Sequence, residues 1–133
     1  MAMILIVDDD PDIRAVLIHK LQQAGHDTWP AVDGPSALAA AEKLIPDLAL
    51  LDWMLPGMSG LEVCRALRAD HRLKHVPVLL FSARDQESDL EWAYAAGADE
   101  FVSKPFSPRR MLERINALLP PEAVPTLPTG GRP

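Results

Sequence analysis

The sequence ILIVDDD at residues 4–10 decides the fold class, because an uninterrupted apolar run ends abruptly in acidic residues. Such a run is too short for a helix and is typical of a strand that is buried on both faces. The pattern recurs in LALLD at residues 48–52 and in VLLFS at residues 78–82, which also end in a polar residue. Strands of this kind form parallel sheets that helices cover on both sides.

Helical patterns fill the segments between these strands. Gly25 and Pro46 are typical helix stops, and Ser59 with Glu62 forms a capping-box pair. The sequence predicts helices over residues 12–24, 35–44, 85–96 and 108–119, with a further helix after Ser59.

Two weaker strands complete the pattern. Residues 27–32 contain Pro30, and this strand belongs at a sheet edge because proline cannot donate to a strand ladder. Phe101 and Val102 mark a short fifth strand. We therefore predict an α/β fold with five parallel strands and five helices. A strand order of 2-1-3-4-5 suits the edge strand and makes the first and third strands neighbours.

Length and composition restrict the class of protein. The 133 residues suffice for one domain, which we expect at residues 1–119, whereas residues 120–133 have the composition of a flexible tail or interdomain linker. A net charge of −6 argues against nucleic-acid binding by this segment. No apolar run is long enough to span a bilayer, the N-terminus lacks the basic region of a signal peptide, and the single Cys64 cannot form an internal disulfide. We therefore expect a cytoplasmic protein that does not insert into membranes.

Polar residues gather where the predicted strands end. Asp8 and Asp9 end the first strand, Asp52 the third and Ser82 the fourth, and Lys104 closely follows the fifth. Ligands of open α/β sheets bind beyond the carboxyl ends of the strands, so we expect these residues to share one cleft. Each residue alone has an ordinary explanation, such as acids favoured at a helix N-terminus. Their joint placement at four strand ends favours a functional site.

These residue types fit phosphoryl transfer to a carboxylate. Three carboxylates in one cleft repel each other unless a cation lies among them, and oxygen ligands that leave room for water suit Mg²⁺. A bound Mg²⁺ neutralises phosphoryl oxygens while a carboxylate attacks in line. The Ser82 hydroxyl and the Lys104 ammonium are donors for the resulting acyl phosphate.

The chain resembles the receiver domain of two-component response regulators over roughly residues 3–119. The matching stretches are ILIVDDDPDIR, LALLDWMLPGMSGLEVCRALR, VPVLLFSA and GADEFVSKPFSPRRMLERI. The steps of 30 residues from Asp52 to Ser82 and 22 from Ser82 to Lys104 are also those of the family. The resemblance implies a flavodoxin-like (βα)₅ three-layer sandwich. It also implies a phosphorylation-activated switch that is not a conventional enzyme, since it would catalyse only its own phosphorylation and dephosphorylation.

The resemblance assigns roles to the residues of the cleft. Asp52 would accept the phosphoryl group from a sensor histidine kinase or a phosphotransfer protein. Asp8 and Asp9 would hold Mg²⁺ together with Asp52 and the backbone carbonyl of Met54. Lys104 would pair with the phosphate.

The resemblance also implies a switch. Ser82 would move to bond the phosphoryl group and Phe101 would rotate into the vacated space, which would remodel the face made by helix 4, strand 5 and helix 5. The Lys104–Pro105 peptide would be cis.

The stretches DWMLPGMSG and KPFSPRRMLERI are most similar to the branch whose receivers control winged-helix DNA-binding domains. We therefore expect control of transcription through an effector domain; the alternative is a stand-alone receiver that acts by protein contact or as a phosphorelay intermediate. This branch forms homodimers through helix 4, strand 5 and helix 5, and Asp99, Glu100 and Arg114 are candidates for its charged pairs. Trp92 and Arg110 depart from the pattern of the branch, and Trp92 is either an exposed anchor for another partner or a packing residue.

Two other functions fit the sequence less well. A phosphohydrolase with an aspartyl nucleophile commonly needs a second acid two residues later, where this chain has Met54. A nucleotide- or flavin-binding module needs a glycine-rich loop after the first strand, where this chain has acids. Cys64 is predicted to be an inert core thiol and Trp53 to flank the acidic pocket. The histidines are predicted to lie on the surface: His19, His26, His71 and His75.

Overall fold

The fold alternates five strands with five helices. The computed structural model describes residues 2–83 and 87–120. The strands are β1 (Met3–Val7), β2 (Asp27–Ala31), β3 (Leu48–Asp52), β4 (Val78–Ser82) and β5 (Glu100–Ser103), and the helices are α1 (Pro11–Gln23), α2 (Gly34–Leu44), α3 (Gly60–Ala69), α4 (Glu87–Ala95) and α5 (Pro108–Leu118). The strands form one parallel sheet in the order β2-β1-β3-β4-β5, which confirms the predicted topology.

The apolar strands are buried on both faces, as their composition predicts. Ile4 and Ile6 of β1 contribute to one core, where they pack with Met111 and Ile115 of α5. Leu5, from the same strand, contributes to a second core on the opposite face of the sheet. Successive residues of a strand point to opposite faces, so only a continuous apolar run fills both cores.

The second strand lies at the edge, as its proline predicts. Pro30 stands opposite Ile6 in the parallel register of β1 and β2. Because β2 is the outermost strand at one edge of the sheet that the described residues form, the missing N–H of the proline removes no hydrogen bond between these strands.

Local hydrogen bonds set the helix starts. The Asp10 side chain accepts from the backbone N–H of Asp12 at 2.9 Å and begins α1. Ser59 and Glu62 form the predicted capping box, at 3.2 Å and 2.9 Å, which begins α3 directly after the site-bearing strand β3. The side chains of these caps satisfy backbone donors that a helix start leaves free.

One histidine lies elsewhere than predicted. His26 is only 3 % exposed, and its Nε2 atom lies 3.0 Å from Oδ1 of Asn116 in α5. The prediction of a surface position was wrong because the partner is 90 residues away in sequence, and only packing of α5 against α1 buries the turn before β2. His19, His71 and His75 are exposed, as predicted.

Residues 121–133 of the tail predicted at 120–133, and the first residues of the predicted fourth helix, 85–86, lie outside the described residues. Among the helices that are described, none has the length and apolar character needed to cross a membrane.

Candidate functional site

Strand order brings the acidic residues together. Asp52 ends β3, and Asp8 directly follows β1, whose last residue Val7 stands opposite Leu51. Oxygens of Asp8, Asp9 and Asp52 lie within 4.8 Å of one another. Asp8 and Asp52 are buried, at 0 % and 3 % exposure, whereas Asp9 is exposed at the mouth.

Asp8 is the most constrained of the three carboxylates. Its Oδ1 atom accepts from the backbone N–H of Asp10 at 2.9 Å, and its Oδ2 atom is buried without a hydrogen-bond partner. The pKa of Asp8 is raised from 3.8 to about 6, mainly by burial and also by the negative charge of Asp52, against the lowering effects of the Asp10 N–H and of Lys104. A buried carboxylate oxygen without a donor is what a cation would satisfy.

Lys104 supplies positive charge to the cleft. Its Nζ atom lies 3.2 Å from Oδ2 of Asp52 and 3.8 Å from Oδ2 of Asp8, and 5.1 Å from the ring centroid of Phe81. The Lys104–Pro105 peptide is cis, and the backbone N–H of Lys104 donates to the carbonyl of Ser82 at 2.7 Å. One lysine facing three carboxylates leaves the cleft with an excess of negative charge.

The donor set fits Mg²⁺. The three carboxylates offer hard oxygen ligands, Asp9 is open to water, and Oδ2 of Asp8 lacks a donor. Mg²⁺ prefers a few carboxylates together with water to a closed cage of protein ligands. Met54, whose carbonyl is predicted as a further ligand, has an exposed side chain, and its backbone N–H donates to Oδ1 of Asp52 at 3.2 Å.

A glycine that the sequence analysis did not single out supports Asp52. The backbone N–H of Gly60 donates to the carbonyl of Trp53 at 2.9 Å, so the start of α3 lies against the end of β3. A Cβ atom at position 60 would lie 2.3 Å from the carbonyl oxygen of Asp52. Only glycine permits this approach, and the SG dipeptide at residues 59–60 was its only signal in the sequence.

The predicted switch residues lie on β4 and β5, the two strands that follow β3 in the sheet. Ser82 ends β4 and is fully buried. Phe101 of β5 is 9 % exposed, and its ring packs edge-on against Trp53 with 6.0 Å between the centroids. Trp53, which follows Asp52 in the sequence and is predicted to flank the pocket, is buried in the same hydrophobic core as Phe101.

The charges expected on the dimer face are paired within the chain. Nη2 of Arg68 lies 2.8 Å from Oδ2 of Asp99, which also accepts from the backbone N–H of Val78 at 2.8 Å. Arg114 pairs with Glu100 at 2.6 Å. Trp92 on α4 is 61 % exposed, which favours an exposed anchor over a packing residue.

Other side chains are placed as predicted or are structural. Cys64 is fully buried, its thiol donates to the carbonyl of Ala96 at 3.4 Å, and burial raises its pKa to about 11. Arg68 also donates to three carbonyls: those of Gly97 at 2.9 Å, Val76 at 2.7 Å and Lys74 at 3.0 Å. This role of Arg68 left no signal in the sequence, because its acceptors are backbone atoms of other loops.

Comparisons with known proteins agree with the geometry. A family model described as "Response regulator receiver domain" matches residues 4–116. The chain is 45% identical over 116 residues to the DNA-binding response regulator MtrA of Mycolicibacterium smegmatis, a match that covers 87% of this chain and 50% of that protein. It is 44% identical over 119 residues to the DNA-binding dual master transcriptional regulator RpaA of Synechocystis, covering 90% and 49%. The chain thus spans about half the length of these curated relatives.

A solved structure shares the fold. The chemotaxis response regulator CheY4 of Vibrio cholerae superposes with a TM-score of 0.86 and 34% identity, over 90% of this chain and 99% of that one.

Proposed function

The chain belongs to the response regulator receiver domain family, and we propose that it is a phosphorylation-activated switch in which Asp52 accepts a phosphoryl group in a Mg²⁺-dependent reaction. Receiver domains of this family are signalling switches rather than conventional enzymes, and their partners are histidine kinases or phosphotransfer proteins. The observation that carries the proposal is the convergence of buried Asp52, buried Asp8 and Lys104, with Nζ 3.2 Å from the Asp52 carboxylate.

Asp52 is the best nucleophile among the three carboxylates. It ends a fully buried strand, and its two oxygens are held from different sides, by the Met54 N–H at 3.2 Å and by Lys104 Nζ at 3.2 Å. A carboxylate fixed in this way loses little further freedom when it attacks phosphorus in line. The proposed reaction forms the bond from a carboxylate oxygen to phosphorus and breaks the bond from phosphorus to a histidine nitrogen, which leaves with the electron pair.

Asp8 and Asp9 would hold Mg²⁺ with Asp52 and the Met54 carbonyl. When bound, Mg²⁺ neutralises charge on the phosphoryl oxygens. Lys104 lies near both Asp8 and Asp52, and its positive charge offsets part of the repulsion between these two carboxylates. Once Asp52 carries the phosphoryl group, Lys104 is close enough to pair with it. Ser82, at the end of β4, is the hydroxyl that we expect to donate to it.

The proposed output is a change of packing at α4, β5 and α5. Phe101 belongs to β5, and its ring contacts that of Trp53. A movement of Ser82 toward the phosphoryl group would let Phe101 rotate, and this rotation would change the face made by α4, β5 and α5. In the relatives named above a receiver of this kind belongs to a DNA-binding regulator, and we propose control of transcription through such an effector, with homodimerisation through α4, β5 and α5 as the intermediate step. A cytoplasmic location stays a prediction.

An apolar groove supports the proposed phosphodonor contact. A cavity of about 570 Å³ lies between α1 and the loop after β5, and its walls include Ile13, Val16 and Phe106 together with Lys104. We expect Val16→Asp to slow transfer from a phosphohistidine protein and to leave modification by acetyl phosphate unchanged, because the small donor needs no protein contact. Equal slowing with both donors would contradict a docking role for the groove.

The central proposal is tested by incubating the protein with Mg²⁺ and acetyl phosphate and measuring its mass. We expect wild type to gain one phosphoryl group, Asp52→Asn to gain none, and Asp27→Asn, which changes an exposed acid at the far end of the edge strand, to behave as wild type. Unmodified wild type, or Asp52→Asn modified to the same extent, would refute the assignment.

A further inference from the structure

The carbonyl of Asp8 lies just beyond the last backbone hydrogen bond between β1 and β2. The backbone N–H of Asp8 makes a bond to the carbonyl of Ala31 at 3.2 Å, and β2 ends at Ala31. Strand β2 therefore provides no backbone N–H that could donate to the Asp8 carbonyl. A backbone carbonyl in a partly buried position needs another donor.

Arg14 supplies that donor. Its Nη1 atom donates to the Asp8 carbonyl at 2.7 Å from one turn into α1, in a partly buried contact. The short distance is typical of a charge-assisted hydrogen bond. Among the described residues no carboxylate pairs with Arg14, so the peptide between Asp8 and Asp9 is the group that this guanidinium holds.

Anchoring of α1 to the sheet does not require this bond. Leu17 and Leu21 of α1 are buried in the core, with Ile13 packed against it, and the Asp10 side chain caps the first turn. The bond instead acts on the short segment that carries two of the three carboxylates. Asp8 is fixed by burial and by the Asp10 N–H, but Asp9 is exposed, and its orientation depends on the peptide that precedes it.

We propose that Arg14 is a positioning residue for the metal site: by holding the Asp8 carbonyl it fixes the Asp8–Asp9 peptide, so that both carboxylates present oxygens to one cation. This inference rests on the proposed function, because the cation is the Mg²⁺ of the phosphorylation site. Residues that orient metal ligands through hydrogen bonds affect metal affinity about 10–100-fold when they are changed.

The test measures Mg²⁺ affinity by isothermal titration calorimetry and stability by urea unfolding in EDTA. Arg14→Met keeps the apolar stem without a donor, and we expect its Mg²⁺ affinity to fall about tenfold or more. Arg14→Lys keeps a cationic donor, and we expect its affinity to stay within about threefold of wild type. Arg65→Met, at an exposed arginine on α3, is the matched control and should bind as wild type. If Arg14→Met does not fold, Arg14→Gln, whose amide is too short to reach the carbonyl, should show the same loss.

The outcomes separate this inference from the proposed function. If wild type binds Mg²⁺ and is phosphorylated, but folded Arg14→Met binds Mg²⁺ equally well and has lost only stability, the positioning role is refuted and the phosphorylation site stands. If Arg14→Lys loses as much affinity as Arg14→Met, the donor role is refuted. If wild type binds no Mg²⁺ at all, both proposals fall.

Discussion

Replacing Asp8 by asparagine should stabilise the metal-free protein, although Asp8 is a proposed metal ligand. Burial raises its pKa from 3.8 to about 6, so the charged form is less favourable in the folded state than in the unfolded state. At about 1.4 kcal/mol per pKa unit, this costs the wild type about 3 kcal/mol of unfolding free energy at neutral pH. Asparagine keeps an oxygen that can accept from the Asp10 N–H and carries no charge into the cleft.

The effect has a defined pH dependence. The folded state holds the Asp8 proton more tightly than the unfolded state, so stability falls as pH rises through the interval from 3.8 to about 6. We therefore expect Asp8→Asn to exceed wild type by about 2–3 kcal/mol at neutral pH and by less than about 1 kcal/mol near pH 4. Asp9→Asn, at the exposed neighbour, is the control and should stay within about 0.5 kcal/mol of wild type.

Magnesium should cancel most of this difference in stability. A ligand at about 100 times its dissociation constant stabilises the folded state by about 2.7 kcal/mol, and we expect this gain for wild type and little of it for Asp8→Asn. Urea unfolding followed by circular dichroism, with EDTA and with Mg²⁺, measures all these differences. Equal stability of the two proteins at neutral pH in EDTA, or a difference that persists undiminished near pH 4, would refute the electrostatic reasoning.

Three further changes probe the support around the site. Gly60→Ala places a Cβ atom 2.3 Å from the Asp52 carbonyl oxygen. We therefore expect the unfolding free energy in urea to fall by about 1–3 kcal/mol and modification by acetyl phosphate to be slower. Unchanged stability would contradict the close approach. Arg68→Met removes the donor of three carbonyls and the partner of Asp99, and thermal unfolding should show a loss of about 2–3 kcal/mol. Cys64, whose pKa burial raises to about 11, should react with Ellman's reagent only after denaturation; rapid reaction of the folded protein would show that the thiol is accessible.

The fold was predictable because its strands are continuous in the sequence. An apolar run such as ILIV is buried on both faces only between two layers, and Pro30 restricts its strand to an edge, which suits the observed strand order. The identities of the site residues were predictable for the same reason. A polar residue that directly follows a buried strand must emerge at the carboxyl edge of the sheet.

The supporting residues were not predictable, because their partners lie far away in sequence or are backbone atoms. His26 meets Asn116 across 90 residues, and Arg68 meets the loop around Gly97. The requirement for Gly60 depends on how closely α3 starts to β3. None of these contacts corresponds to a periodicity or a motif in the sequence.

By itself the sequence determined a parallel α/β sheet with acids, a serine and a lysine at the ends of its strands, because hydrophobic pattern and residue type are local properties. Only the tertiary structure decided how deeply Asp8 and Asp52 are buried, that Asp8 leaves an oxygen without a donor, and that Arg14 holds the peptide between the two acids. Burial and orientation arise when separate elements pack, and they set the pKa of Asp8 and the charge balance with Lys104 on which the proposed chemistry of Asp52 depends.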